Sequence, residues 1–138
     1  MKKLGKKMLA LILAVSFCVA FSANAYAVQG RYINDLTGFN ELIITNGTAT
    51  MYSDLFCSSD VTKVVMTHVL QKKNGSTYSD VPYATFTRTF YNNHAPDMED
   101  TAACTGYGTY RLKTNYIVTS PKGTDNHTHY GEPVTISK

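Results

Sequence analysis

Tyr107-Gly108-Thr109-Tyr110-Arg111-Leu112-Lys113-Thr114-Asn115-Tyr116-Ile117-Val118-Thr119 is the stretch that decides the fold class. Tyr110, Leu112, Tyr116 and Val118 share one set of alternate positions, while Arg111, Lys113, Asn115 and Thr119 share the other. A period of two belongs to a pleated strand with one face on a core and one in water. An α-helix would need apolar residues three and four apart, and no stretch of the chain sustains that spacing.

The same rhythm extends outward. Thr48 to Phe56 alternates Ala49, Met51 and Leu55 against Thr48, Thr50, Tyr52 and Asp54, and only Ser53 breaks the apolar face. In Val61 to Lys72, Val64, Met66 and Leu70 lie on one side and Val65 and Val69 on the other, which suits a central strand. Val81 to Tyr91 alternates Ala84, Phe86 and Phe90 against Tyr83, Thr85, Thr87 and Thr89. A short first strand is expected at Glu41 to Thr45 and a last one near Pro133 to Ser137, burying Val134 and Ile136. Asn46-Gly47, Asn74-Gly75, Asn92-Asn93 and Pro121-Lys122-Gly123 punctuate these runs, and Asn74-Gly75 reads as a hairpin turn with two positive φ angles. Asn92 to Asp100 reads as a polar loop. Past residue 27 the chain holds 18 Thr, 9 Tyr and 4 Phe, residues that favour a half-buried pleated surface. The expectation is an all-β antiparallel sandwich of about seven strands over residues 41–138, with residues 28–40 as a lead-in.

Residues 1–27 read as a cleavable signal peptide. Lys2, Lys3, Lys6 and Lys7 make a positive start, Met8 to Phe21 an apolar run, and Ala25-Tyr26-Ala27 a small-x-small cleavage site. The apolar run falls short of the roughly 20 residues needed to span a bilayer, so no stable membrane anchor is expected after cleavage. The whole chain carries 13 Lys and Arg against 10 Asp and Glu. The leader takes four of those lysines and no acid, leaving nine against ten and removing the case for nucleic acid as a partner. A secreted, extracellular domain is the expectation.

Gly108-Thr109-Tyr110-Arg111-Leu112-Lys113 resembles the penultimate strand of immunoglobulin-like and fibronectin type III domains, where a tyrosine hydroxyl bonds back to upstream backbone. The wider run of Asn46-Gly47-Thr48-Ala49, Val61-Thr62-Lys63-Val64, Leu70-Gln71-Lys72-Lys73 and Gly108-Thr109-Tyr110-Arg111 is similar to small secreted Gram-positive bacterial domains of unknown function. The resemblance implies the sandwich and the export and no activity. The chain has no Trp, so Tyr110, Phe86 or Phe90 must fill the aromatic place in such a core.

Cys57 and Cys104 remain after cleavage. In an exported protein such a pair is expected to be bridged, and closing the loop is worth about 4 kcal/mol. In an ordinary immunoglobulin topology, however, the two positions tend towards opposite ends of the sandwich, which leaves free thiols open as the alternative.

His127-Thr128-His129 is the best local candidate for a metal site, because residues two apart on a strand face the same way. Two imidazoles fall short of the three or four ligands a site needs, and His94 or Asp125 would have to join them. Solvated histidines on a polar edge are the plainer reading, and no metal or other cofactor is expected. Asp97, Glu99 and Asp100 read as a solvated acidic loop, and Ser58-Ser59-Asp60 as a turn. His68 reads as a core-edge histidine satisfied by backbone. Tyr78, Tyr83, Tyr91, Tyr107 and Tyr130 fall near turns or strand ends, where an apolar ring with a polar tip suits a contact surface. No nucleophile elbow, zinc-protease helix or phosphate loop occurs. The expected function is therefore non-catalytic binding of an extracellular protein or cell-surface ligand. A small metal-dependent hydrolase built on His127 and His129, or a secreted antimicrobial or inhibitor protein, stands as the alternative.

Overall fold

Among the described residues, alternation along the chain becomes eight antiparallel strands in two sheets. The structure, a computed structural model, describes Asn34 and residues 36–138. The strands are β1 (Leu36–Thr45), β2 (Thr48–Cys57), β3 (Lys63–Asn74), β4 (Thr77–Tyr91), β5 (Asp97–Ala103), β6 (Gly108–Ser120), β7 (Gly123–Tyr130) and β8 (Val134–Ile136). One sheet has the order β1-β2-β5; the other runs β4-β3-β6-β7, with β8 also pairing β6. The expected leader, residues 1–27, lies outside the described residues.

Several expectations need correction. The first strand starts at Leu36 and not Glu41, pairing residue for residue from Leu36↔Cys57 to Thr45↔Thr48. Gly38 disguised it, yet the glycine has a reason: a Cβ there would sit 3.3 Å from both His129 and the Tyr116 ring. The loop expected at Asn92 to Asp100 contains the start of β5, which pairs β2 from Asp54↔Asp97 to Thr48↔Ala103. Its acidic run alternates, with Asp97 and Glu99 exposed and Met98 and Asp100 buried, so the cluster is not one solvated patch. The turn after β3 is Gly75-Ser76, because Asn74 pairs with Thr77 and only Gly75 has positive φ, at 63°. Asn46 and Gly47 both take positive φ, 51° and 75°, as a two-residue hairpin of the primed kind requires.

The expected bridge between Cys57 and Cys104 does not form; both cysteines are free. Cys57 ends β2, while Cys104 follows β5 and donates its N–H to Gly47 O at the start of β2. About nine residues of extended strand separate the two levels, roughly 30 Å at ~3.3 Å per residue. A disulfide needs Cα atoms within about 7 Å.

The core is divided. Leu42, Ala49, Met51, Leu70, Val81, Ala84, Tyr110 and Leu112 form one apolar cluster. Leu55, Val61, Val64, Met66, Met98, Tyr116 and Val118 form the other. Between them, each central strand contributes one inward polar residue: Ser53 on β2, His68 on β3 and Thr114 on β6, all buried. Asn40 on β1 and Asp100 on β5 complete this layer. Tyr110, fully buried, supplies the large ring that a Trp-less core needs, and its hydroxyl donates to Gly106 O at 2.6 Å. That is the backbone corner expected from the Gly108-Thr109-Tyr110 stretch.

Candidate functional site

Odd-numbered residues of β6 face outward, so Arg111 and Lys113 stand on the open face of the five-stranded sheet. Register then selects their neighbours. Gln71 lies opposite Arg111 on one side and Asp80 on the other, while Tyr130 lies opposite Lys113. The Arg111 guanidinium sits 3.9 Å from the Tyr78 ring centroid and 4.1 Å from that of Tyr130, held between two aromatic rings. Its Nε donates to Gln71 Oε1 at 2.8 Å, and Gln71 Nε2 donates to Asp80 Oδ1 at 2.7 Å. Each ring contact contributes about 0.5–1 kcal/mol at an exposed site. With Nε committed, the Nη edge is the part of the fork that remains for a ligand. A planar guanidinium fixed in this way suits bidentate recognition of a carboxylate, sulfate or phosphate. Lys113 and Lys73 share the face and add positive charge.

The five expected contact tyrosines therefore divide. Tyr78 and Tyr130 converge on Arg111, although they are far apart in sequence. Tyr91 ends β4 and Tyr107 precedes β6, and both are exposed. Tyr83 is fully exposed at φ 61°, on an irregularity of β4 where residues 81–84 lie between Asp80↔Gln71 and Thr85↔Val69.

His127 and His129 do share a face of β7, opposite Tyr116 and Thr114. His129 packs edge-on to Tyr116, with ring centroids 5.9 Å apart. Asp125, on the same face, is engaged by Asn34, whose N and Nδ2 lie 2.8 and 2.9 Å from Oδ2. His94 uses its carbonyl to accept from Cys57 N. Among the described residues no group of three or more His, Cys, Asp or Glu side chains is placed to hold a metal ion.

The constellation with the most familiar chemistry was not foreseen. His68 Nε2 lies 2.8 Å from Ser53 Oγ, and His68 Nδ1 lies 2.9 Å from Asp100 Oδ2. That is the connectivity of a Ser-His-Asp triad. The Nδ1 contact is off the hydrogen-bonding axis and is an electrostatic contact at hydrogen-bond distance. Here the would-be nucleophile is sealed: Ser53 is 1% exposed and His68 0%. Ser53 Oγ also contacts Asn40 Oδ1 and Thr114 Oγ1, both at 2.9 Å, and Tyr116 OH donates to the same Asn40 oxygen at 2.7 Å. Arg88 caps the far end, with Nη2 at 2.7 Å from Asp100 Oδ1. Burial pushes the His68 pKa below its ordinary 6.5 and nearby Arg88 adds to that, while Asp100 opposes both. His68 is thus satisfied by side chains and not by backbone. The signal in the sequence was Ser53 and His68, polar residues on inward positions of otherwise apolar strands.

Burial pushes both the Cys57 and Cys104 thiols up from their usual value, the opposite of what an activated thiolate needs. Compared with known proteins, the chain matches no family model and no curated sequence.

Proposed function

We propose that the protein is a secreted, non-catalytic β-sandwich binding module, of the immunoglobulin-like and fibronectin type III-like kind, that recognises an oxyanion-bearing extracellular polymer. The observation that carries this reading is Arg111 clamped between Tyr78 and Tyr130, with Gln71 fixing its Nε. A stacked, oriented guanidinium on an open sheet face is preorganised, which reduces the entropy lost on binding. The strand order and the Tyr110 corner support the fold resemblance. The sealed Ser53–His68–Asp100 contacts favour binding over hydrolysis, because a nucleophile must be reached by its substrate.

The test is calorimetric titration with polygalacturonate, which carries carboxylates, and dextran sulfate, which carries sulfates. Arg111→Lys keeps the charge and loses the planar fork, so binding falls at least tenfold. Lys113→Ala falls only severalfold, mostly through its salt dependence. Equal losses for the two variants would reduce the site to diffuse charge, and no binding of either polymer would end the proposal.

A further inference from the structure

Open sheet edges attract other strands, and folded proteins ordinarily blunt them with charge, proline, bulges or short length. Three of the edges here are treated that way. β4 carries Pro82 and the irregularity that throws Tyr83 outward. β5 is a seven-residue strand with three acids, and Arg88 Nη2 takes its Glu99 carbonyl at 3.0 Å. β7 is wholly polar up to Tyr130, and β8 beside it is only three residues long.

β1 has none of these devices. It is ten residues long, unbroken in register with β2, and contains no Pro, Lys or Arg and a single charge, Glu41. The two-residue turn makes Thr45 and Thr48 a hydrogen-bonded pair, so alternate residues back along β1 bond to β2. The N–H and C=O groups of Leu36, Gly38, Asn40, Leu42 and Ile44 therefore point away from β2, and no described strand pairs with that side. On the outer face of the same strand Phe39 is 57% and Ile43 46% exposed, a second and independent sign of missing cover.

We propose that β1 pairs antiparallel with β1 of a second copy, joining two three-stranded sheets into one of six strands. A strand paired with itself about a two-fold axis is self-complementary by geometry. Outward-pointing groups must face one another, which confines the axis to an even-numbered residue or to the non-hydrogen-bonded, odd-numbered residue between two of them. An axis at residue 41 sets Glu41 against its own copy. An axis at Asn40 avoids that clash and gives the longest overlap: Leu36 opposite Ile44, Gly38 opposite Leu42, and Phe39 opposite Glu41. About ten backbone hydrogen bonds result, two from each facing pair. Phe39 of each copy then lies diagonal to Phe39 of the other, within reach of a large ring.

Sedimentation velocity across micromolar to sub-millimolar concentration tests this, with amide hydrogen exchange on the same samples. A monomer–dimer equilibrium is expected, with Gly38, Leu42 and Ile44 amides gaining at least tenfold protection as the dimer fills. Phe39→Glu places two acids opposite each other at two points and shifts the protein to monomer, whereas Phe39→Lys faces Glu41 and keeps the dimer. Both substitutions are on an exposed position, and circular dichroism checks that the fold is retained. A monomer throughout, or a dimer in which those amides still exchange fast, overturns the proposal. Protection independent of concentration does so as well, because it assigns the edge to the chain preceding Asn34.

Discussion

Ser53 has one hydroxyl proton and three polar neighbours within 2.9 Å: His68 Nε2, Asn40 Oδ1 and Thr114 Oγ1. It is the hub through which both sheets share one buried polar layer. Ser53→Ala removes the hydroxyl from His68 Nε2 and Thr114 Oγ1 and leaves Asn40 Oδ1 with Tyr116 OH alone, and we expect a loss of about 1–3 kcal/mol in urea denaturation. His68 adds a dependence on pH. Its folded pKa lies below the ordinary 6.5, so the unfolded chain takes up a proton that the folded protein resists. The stability arising from neutral His68 is whole above about pH 6.5 and drains away as pH falls towards the depressed value. Unfolding free energies at pH 7.5 and 5.0 should therefore differ more for the native protein than for His68→Asn. An unchanged or steeper difference in the variant would place the titration elsewhere.

Elements differ in how openly the sequence declares them. β2, β3, β4 and β6 were legible because inward Met, Val, Leu, Phe and Tyr alternate with Thr and charged residues. β5 was hidden, since only Met98 and Ala102 mark its inward side apart from Asp100, and two outward acids make it read as solvent-facing loop. β7 was hidden for the same reason, its inward positions being Asp125, His127 and His129. The Arg111 cluster was half legible: Tyr78 and Tyr130 could be named from chain position, but only register brings them to one guanidinium. Cysteine pairing was misread because export chemistry favours a bridge and strand geometry forbids it. We expect Cys57 and Cys104 both to titrate as free thiols in denaturant and a melting temperature indifferent to reductant. A reductant-induced drop of several degrees would show that the two sulfurs are joined.

At the level of the whole molecule, the polar layer separates two apolar clusters that both draw on β2, β3 and β6, at different heights. Leu112→Ala in one and Leu55→Ala in the other should each cost about 2–5 kcal/mol, because each empties space among buried neighbours. Measured together they should add to within about 0.5 kcal/mol, because the two leucines belong to different clusters and the half-buried Phe86 is the side chain that packs against both. Coupling well above that would mean that strain crosses the layer. Charge is divided between the sheets. The strands of the three-stranded sheet carry Glu41, Asp54, Asp97, Glu99 and Asp100 with no Lys or Arg, while those of the five-stranded sheet carry Lys63, Lys72, Lys73, Arg88, Arg111 and Lys113 against Asp80 and Asp125. A ligand rich in oxyanions is thus steered to the Arg111 side before any contact is made.

The layer formed by Asn40, Ser53, His68, Asp100 and Thr114 also limits how a lineage carrying this fold can drift. Changing one member alone passes through a form with an orphaned buried group, whereas exchanging several for aliphatic residues at once can be neutral. Descendants of an ancestral gene should therefore keep all five positions polar or convert them as a block, with few mixtures between.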